Sequence, residues 1–451
     1  MGDWLMDESE MVQEAKPTSP GGGDAIAELK VRVKRLQAEK GEVARQFKRA
    51  GLTEVERAEL KAAMKGVSSA LAEAQAGLKQ LLNAVVAPSE PVPPPLPGQF
   101  QPSSSNLGRS VEVRALLPHE IKLWQAFVQQ HAHASAYHHP AFLRHIQQVF
   151  GHSSQVLAAF DRGALVGGLP LTVMRSRLFG AFAVSVPYFN YGGPLSEYRD
   201  VVEALLKAAN GLVPQERLSH AEVRTTLPGL PAPCVTKKVS MVLALPGTQA
   251  ELDEQLGAKV RAQTKKAEPQ GPSIRFGGIE LLDDFYRVFS INMRDLGTPV
   301  YAKGWFRSLL ADEQLNTTLA VAYLNGKAVS TGFLLGHRKL LEIPWASTLR
   351  RANALDMNMW MYRQILGFAI DKGYQHFDFG RSTEGAGTYR FKKQWGARPV
   401  QHYWYYLTEA GSAVAETNPD NPKYKLMIAV WKRLPVWLTR IIGPEVIKNV
   451  P

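Results

Sequence analysis

Two short stretches in the C-terminal half hold the side chains best suited to chemistry: Phe377-Asp378-Phe379-Gly380-Arg381-Ser382 and Tyr389-Arg390-Phe391-Lys392-Lys393-Gln394-Trp395-Gly396. Asp378 stands between two phenylalanines in a β-rich run, so strand alternation turns it away from their face, toward solvent or an opposing layer. There it is a general base or substrate anchor, or else a structural partner of Arg381 at a sheet end. Glu342, in the β-rich run Leu340 to Ser347, is the rival base. Lys392 and Lys393 follow Gly385 to Thr388, a flexible approach to a cleft. An ammonium there can hold a phosphate or a developing oxyanion, and the alternative is a solvated basic edge. Arg350 and Arg351 can pair with phosphate through their guanidinium forks.

Other constellations exclude more than they offer. His131, His133, His138 and His139 have no acidic or cysteine ligands beside them, so no metal site is expected. The lone cysteine, Cys234, cannot form an intramolecular disulfide, fits a reducing compartment and reads as a small buried residue. With 53 Lys and Arg against 41 Asp and Glu the formal charge is +12, which favours anionic partners without choosing among them. Met1 to Ala15 lacks the basic start and apolar core of a secretory signal. The most apolar window, Leu426 to Ile442, is broken by Lys432, Arg433 and Pro435. A cytoplasmic protein that does not cross a membrane is expected.

The elements that must position these residues follow from periodicity. Residues 1–23 are polar, end in three glycines and read as a disordered leader. Ile26, Leu29, Val33, Leu36, Lys40, Val43 and Phe47 keep 3,4 spacing, as do Leu60, Met64, Val67, Leu71, Ala74, Leu78, Leu81 and Val85. With Gly51 ending one helix and Thr53-Glu54-Val55-Glu56 forming a capping box for the next, residues 24–86 predict an antiparallel helical hairpin. Its uses are a spacer, self-association or, through a loose likeness to the arm of seryl-tRNA synthetases, tRNA contact. The proline-rich stretch 87–109 is a linker.

The body is internally duplicated. Leu157 to Val166 and Ala320 to Val329 share a strand–turn–strand pattern with glycines at 163 and 326. Each is followed by a periodic helix, Val201 to Ala209 and Met357 to Asp371, and a strand, His220 to Arg224 and His376 to Phe379. Two α/β units with mixed sheets are expected, at 110–246 and 247–410, with a basic tail at 411–451. In that tail Trp431 and Trp437 lie among Lys425, Lys432, Arg433 and Arg440, a composition that packs against the body or lies on an acidic membrane surface.

His138-His139-Pro140-Ala141-Phe142, Phe150-Gly151-His152, Gly168-Leu169-Pro170-Leu171, Ser176-Arg177-Leu178-Phe179-Gly180 and Asn190-Tyr191-Gly192-Gly193-Pro194 resemble the first half of FemAB-related proteins. The two motifs described first resemble their second half. Trp431-Lys432-Arg433-Leu434-Pro435 with Gly443-Pro444 looks like the subgroup associated with exosortase and exopolysaccharide loci of Gram-negative bacteria. The resemblance spans about 110–451. It implies two tandem GNAT-like acyltransferase domains, an α/β fold, preceded by the helical hairpin. It also implies transfer of an acyl or aminoacyl group to an amine of a cell-envelope or exopolysaccharide precursor, a saccharide or peptidoglycan-type acceptor.

In a GNAT-like fold two strands splay and the acyl donor lies between them, here Leu340 to Ser347, with Pro344, and His376 to Phe379. The resemblance gives Lys392 a place beside substrate phosphate or oxyanion, has Phe391 line the pocket, and has Tyr389 and Arg390 grip the acceptor, Tyr389 being core otherwise. Asn190 and Tyr191 stand in a loop that is an acceptor site or a tight turn. No cofactor is expected beyond the acyl donor, which is aminoacyl-tRNA, acyl-CoA or acyl-carrier protein. The stretch Thr348 to Ala354 lacks the glycines with which CoA enzymes grip pyrophosphate at a helix N-terminus. A non-catalytic scaffold in exopolysaccharide assembly and a tRNA-binding protein are the alternatives.

Overall fold

The computed structural model describes residues 22–47, 53–85, 105–176, 180–409 and 422–450. The expected leader up to residue 21, Gly51 and the linker residues 87–104 lie outside the described residues. The chain divides into two compact units, Met1–Pro94 and Pro95–Pro451.

The first unit is a helix pair, α1 (Gly22–Phe47) and α2 (Glu54–Val85). Its shielded positions keep the 3,4 spacing: Leu29, Val33, Leu36, Lys40 and Val43 on one helix, Leu60, Met64, Val67, Leu71 and Ala74 on the other. Gly77, late in α2, faces Leu29, early in α1, so the helices run antiparallel. The Thr53 hydroxyl accepts the Glu56 N–H at 3.3 Å, and the Glu56 carboxylate accepts the Thr53 N–H at 2.8 Å, closing the capping box.

The second unit repeats one series of elements. First come β1 (Glu112–Ala115), α3 (Ile121–Gln130), α4 (Pro140–Phe150), β2 (Ser153–Asp161), β3 (Ala164–Ser176), β4 (Gly180–Val184), α5 (Arg199–Gln215) and β5 (Ala221–Thr225). After β6 (Cys234–Val235), β7 (Lys238–Ala244), α6 (Gln249–Gln255) and α7 (Ala258–Lys265) the order returns. Its second round is β8 (Ser273–Gly277), α8 (Leu282–Leu296), α9 (Lys303–Leu310), β9 (Asn316–Leu324), β10 (Lys327–His337), β11 (Leu340–Thr348), α10 (Met357–Asp371) and β12 (His376–Thr383). Then follow α11 (Gly387–Lys393), β13 (Arg398–Gln401), β14 (Tyr403–Leu407), α12 (Pro422–Trp431) and α13 (Val436–Ile447). The duplication extends to turn geometry. Arg162 and Gly163 have φ of 48° and 82°, Asn325 and Gly326 51° and 70°, the paired left-handed conformations that match strand twist in two-residue hairpins.

Two seven-stranded sheets result, β1-β2-β3-β4-β5-β14-β6 and β13-β7-β12-β11-β10-β9-β8. In each half the last two strands, β4 with β5 and β11 with β12, pair in parallel. The closing strands are exchanged: β7 completes the second sheet against β12, and β14 completes the first against β5. The sequence boundary at 246/247 therefore falls after a strand that belongs to the second sheet. One apolar core fills the first half and continues under α8 and α9 onto a face of the second sheet, burying Trp124, Phe142, Phe289, Trp305 and Trp345. Another lies between the opposite face and α10, around Met361, Ile365, Phe377 and Trp395. Because the first core crosses between the halves, the surfaces that face each other there are fixed by packing.

The C-terminal helix α13 lies on α8: Arg440 Nε donates to Ser290 Oγ at 2.9 Å, and Gly443 leaves no room for a side chain beside Val300. No helix among the described residues is long and apolar enough to cross a membrane. The reading of Cys234 as buried is corrected, since it is exposed on the edge strand β6, whose single ladder partner leaves one side uncovered.

Candidate functional site

The parallel ladder between β11 and β12 holds for three residues, Leu340 opposite His376, Leu341 opposite Phe377 and Glu342 opposite Asp378. Beyond them the strands part. On one side Pro344 has no N–H to extend the ladder. On the other, β12 bulges between Asp378 and Arg381 while it pairs with β7, and Gly380 takes φ of 77°. The extra residue sets Asp378 opposite Val242 and Arg381 opposite Ser240, so alternation now turns both to the same face. A wedge opens with Glu342 and Asp378 at its apex.

Both carboxyls are buried, Asp378 completely. Asp378 Oδ1 accepts the Gly380 N–H at 2.7 Å. Its Oδ2 accepts no hydrogen bond of good geometry, although the Ser240 hydroxyl lies near enough to favour the anion. Burial raises the Asp378 pKa to about 6 against the pull of the Gly380 N–H and the Lys392 charge. Burial, then the neighbouring Asp378, pushes Glu342 well above the carboxylate range. Asn190 Nδ2 donates to Glu342 Oε1 at 3.3 Å, and the Tyr137 hydroxyl lies alongside.

Lys392 reaches the wedge from α11 and is buried. Its Nζ donates to the carbonyls of Gly380 at 2.8 Å and Arg381 at 2.9 Å, which holds the bulge and leaves one N–H uncommitted. Burial lowers its pKa to about 8, partly offset by Asp378 and Glu342. At neutral pH the apex therefore holds one carboxylate, one ammonium and one neutral carboxylic acid. Tyr137 OH beside Glu342, Asp378 Oδ2, and Nδ1 of His402, whose Nε2 meets Ser240 Oγ, are buried without a hydrogen bond of good geometry. Orphaned polar atoms are rare in folded proteins, so their nearness to one another singles out the wedge as a candidate site.

The first half supplies one wall. Its own wedge opens after Val184 and Glu222. There Ser185 N donates to Glu222 O at 2.9 Å, Arg224 N to Ser185 Oγ at 2.8 Å and Gly192 N to Arg224 O at 3.1 Å, so residues 185–194 fill the gap. Glu222 is paired internally with Arg224 at 2.6 Å. The filling loop sends Asn190 to Glu342 and packs Tyr191 against His402, ring centres 5.5 Å apart. Arg224 and Arg381 both face the Trp404 ring, at 4.4 and 5.3 Å. Arg381 is open to solvent yet ringed by protein, as on a concave wall, and its pKa falls to about 10 through burial and then the Arg224 charge.

The structure thus brings together Lys392, Asp378, Glu342, Asn190 and Tyr191, with Arg381 on the adjoining wall. The expected partnership of Asp378 with Arg381 is not made, because Gly380 takes the carboxylate and Trp404 takes the guanidinium. Gly385 to Thr388 is not wholly a flexible approach, since α11 begins at Gly387. Three residues of that motif stand apart from the apex. Tyr389 packs in the second core, Phe391 meets Tyr362 and Trp395 edge-on, and Arg390 is exposed with its Nη1 on Gly385 O at 2.7 Å.

Arg350 and Arg351 are exposed on a 3-10 turn, Arg350–Leu355, where Arg350 donates to Asp295 O at 2.7 Å. Asp356, in left-handed conformation at the head of α10, makes no side-chain cap hydrogen bond and pairs with Lys266 at 3.2 Å. No group of three metal-ligating side chains gathers among the described residues. Sequence reasoning missed Tyr137, Ser240, Arg224, Trp404 and His402. Tyr137 adjoins the His138-His139-Pro140 motif, the one signal that pointed to it.

Residues 256–393 match the family model of the acetyltransferase (GNAT) domain. No curated protein matches the chain. Among solved structures, FemX is 13% identical with a TM-score of 0.49, covering 70% of this chain and 100% of its own. The C-terminal domain of a putative lysylphosphatidylglycerol synthetase from Agrobacterium fabrum is 12% identical at 0.46, covering 65% and 92%. A tandem GNAT protein from the clavulanic acid biosynthesis pathway is 12% identical at 0.45, covering 68% and 100%. The wedge residues Glu342, Asp378 and Lys392 lie inside the matched segment, and the first half repeats its order of elements, so the fold is an α/β pair of GNAT-like halves preceded in sequence by a helical hairpin.

Proposed function

We propose that this protein is a FemAB-like acyltransferase that forms an amide on a cell-envelope or exopolysaccharide precursor, using an aminoacyl or other acyl donor. The observation that carries the reading is the wedge apex, where a buried Asp378 oxygen without a partner meets the Lys392 ammonium and a neutral Glu342. The neutral acceptor amine attacks the donor carbonyl, and Asp378 takes the proton that its nitrogen sheds as the C–N bond forms. The remaining N–H of Lys392 stabilises the oxyanion. As the intermediate collapses, the donor's sulfur or ester oxygen leaves with the proton of Glu342. Asp378 then returns its proton to Glu342, directly opposite on the ladder.

Asn190 of the first half donates to Glu342 and Tyr137 lies beside it, so both halves contribute to the proposed centre. Tyr191 and Arg381 line the acceptor side, and Arg381 suits an anionic acceptor. The absence of glycine from Thr348 to Ala354 favours aminoacyl-tRNA or an acyl-carrier protein over CoA as donor. Trp431 to Pro435 with Gly443-Pro444 supports placement in the exosortase-associated subgroup, and the single cysteine suits a reducing cytoplasm. The hairpin, outside this chemistry, serves as a spacer or in self-association. Purified protein incubated with each donor class and an amine-bearing precursor should add one acyl mass to the acceptor. The reading fails if no donor gives an increment, or if Lys392→Met, folded by circular dichroism, turns over like wild type.

A further inference from the structure

The tail helices carry a surface that the proposed reaction leaves unused. Among the described residues of the second unit, eleven large apolar side chains are exposed, and six of them fall between Met427 and Val450. Trp437 and Ile441, one turn apart on α13, are each 63% exposed, and Met427 and Val430 on α12 are 62% and 50% exposed. Leu296, at the end of α8 next to Gly297, which touches Ile428, is 56% exposed and extends the patch. The opposite side of α13 buries Thr439, Gly443 and Ile447. One side of the helix thus belongs to the body while the other offers an aliphatic and indole surface to its surroundings.

Charge selects the occupant. From Pro422 to Pro444 the sequence has five basic residues and no acidic one, and Lys432 and Arg433 are exposed between the two helices. An isologous contact with a second copy would bring this all-basic segment toward itself. An anionic bilayer satisfies both features, with cations at the headgroups and tryptophan and aliphatic tips at the acyl boundary.

We infer that the exposed face of α12 and α13 docks on an anionic membrane surface. Location supports the assignment. Gly443 packs on Val300, the neighbour of the buried Tyr301, whose environment includes Arg381 and Arg224. The Lys448 carbonyl accepts from Tyr188 OH at 2.8 Å and His152 Nε2 at 2.7 Å, tying α13 to the loop that carries Asn190. These bonds connect the helix that would lie on the lipid to the loop that reaches the wedge, on the side from which an acceptor anchored in the bilayer would approach.

This inference stands apart from the acyl-transfer reading, because docking is measured without turnover. The full chain is mixed with vesicles of phosphatidylcholine alone or with about one third phosphatidylglycerol, and flotation is followed at rising salt. Protein should float with the anionic vesicles only, less as salt rises, and the double variant Trp437→Ser/Ile441→Ser should lose at least ~10-fold in partitioning. Its unfolding midpoint should match wild type, since both side chains are exposed. Absence of flotation, equal flotation of the double variant, or a dimer in native mass spectrometry that the variant dissolves would each overturn the assignment.

Discussion

The two wedges of this molecule have the same backbone origin and opposite fates. In the first, Glu222 at the end of the parallel ladder is neutralised by Arg224 two residues on, and residues 185–194 fold into the gap. In the second, Asp378 at the matching place faces Glu342, keeps an oxygen without a partner, and receives a cation only from α11, a helix with no counterpart in the first half. The contrast teaches that duplication supplied a strand pair able to part, while the residue at the ladder's end decided the use of the gap. A satisfied ion pair lets it be filled with chain. Two carboxyls that cannot both ionise keep it chemically unfinished. The filled wedge then became a wall of the open one, through Asn190 and Tyr191.

Removing Asp378 should separate the wedges most sharply. Asp378→Asn keeps the Gly380 hydrogen bond and the shape but cannot accept the amine proton, so single-turnover transfer should fall about 10² to 10⁴-fold. Next is Lys392→Met, which should lower the same rate roughly 10² to 10³-fold by removing the oxyanion's cation. Equal rates in either variant would reduce the open wedge to the structural status of the filled one. In the first wedge the damage is to folding. Glu222→Gln leaves Arg224 buried without its anion, which should cost roughly 3 to 5 kcal/mol in denaturant unfolding while the folded fraction keeps its turnover.

The pH dependence should tell the wedges apart as well. Transfer requires Asp378 ionised and Lys392 charged, so the rate should fall below about pH 6 and above about pH 8. Lys392→Met should erase the alkaline limb. The same burial costs stability. Asp378 binds its proton more tightly in the folded state, about 6 against an ordinary 3.8. The stability this gives is complete below that ordinary value and is lost as pH rises through 6. Asp378→Asn should therefore leave unfolding at pH 3 nearly unchanged and stabilise the protein at pH 8 by up to roughly 3 kcal/mol. A midpoint that does not diverge from wild type between these pH values would show that Asp378 is not desolvated.

Much of this was legible in residue order, and the remainder depends on contacts that sequence does not display. Period-2 runs around a left-handed turn announced both hairpins, and the helix Met357–Asp371 was readable because it is a largely apolar run too long for a strand and closed by Gly373. Lys392, Asp378 and Glu342 could be chosen because charge inside an apolar strand or beside glycines is costly without a use. The exchange of β7 and β14 could not be read, since either sheet satisfies the same alternation. Nor could Tyr137, His402 and Arg224, which look like ordinary core or strand residues until the halves are packed. Tyr389 and Phe391 were placed at the site by the family resemblance, but on the helix Gly387–Lys393 their rings turn into the second core, Phe391 toward Tyr362 and Trp395.

Gly380 offers the finest test of why only one wedge is open. β5 pairs with β14 in unbroken register and has no glycine, whereas β12 bulges at Gly380, whose left-handed φ any other residue adopts at a cost of about 1–2 kcal/mol. The residue is held from both sides, its N–H by Asp378 Oδ1 and its carbonyl by Lys392 Nζ. Gly380→Ala has room, since its methyl would stand 3.5 Å from the Ile343 carbonyl, so the change acts through conformation rather than collision. As the strand relaxes toward ordinary φ, the Gly380 N–H turns away and Asp378 loses the hydrogen bond that most lowers its pKa. The acid limb of the rate profile should then move above pH 6 while the alkaline limb shifts less, because Lys392 keeps the Arg381 carbonyl. A variant that loses stability with both limbs in place would mean that the bulge opens the wedge without tuning its base.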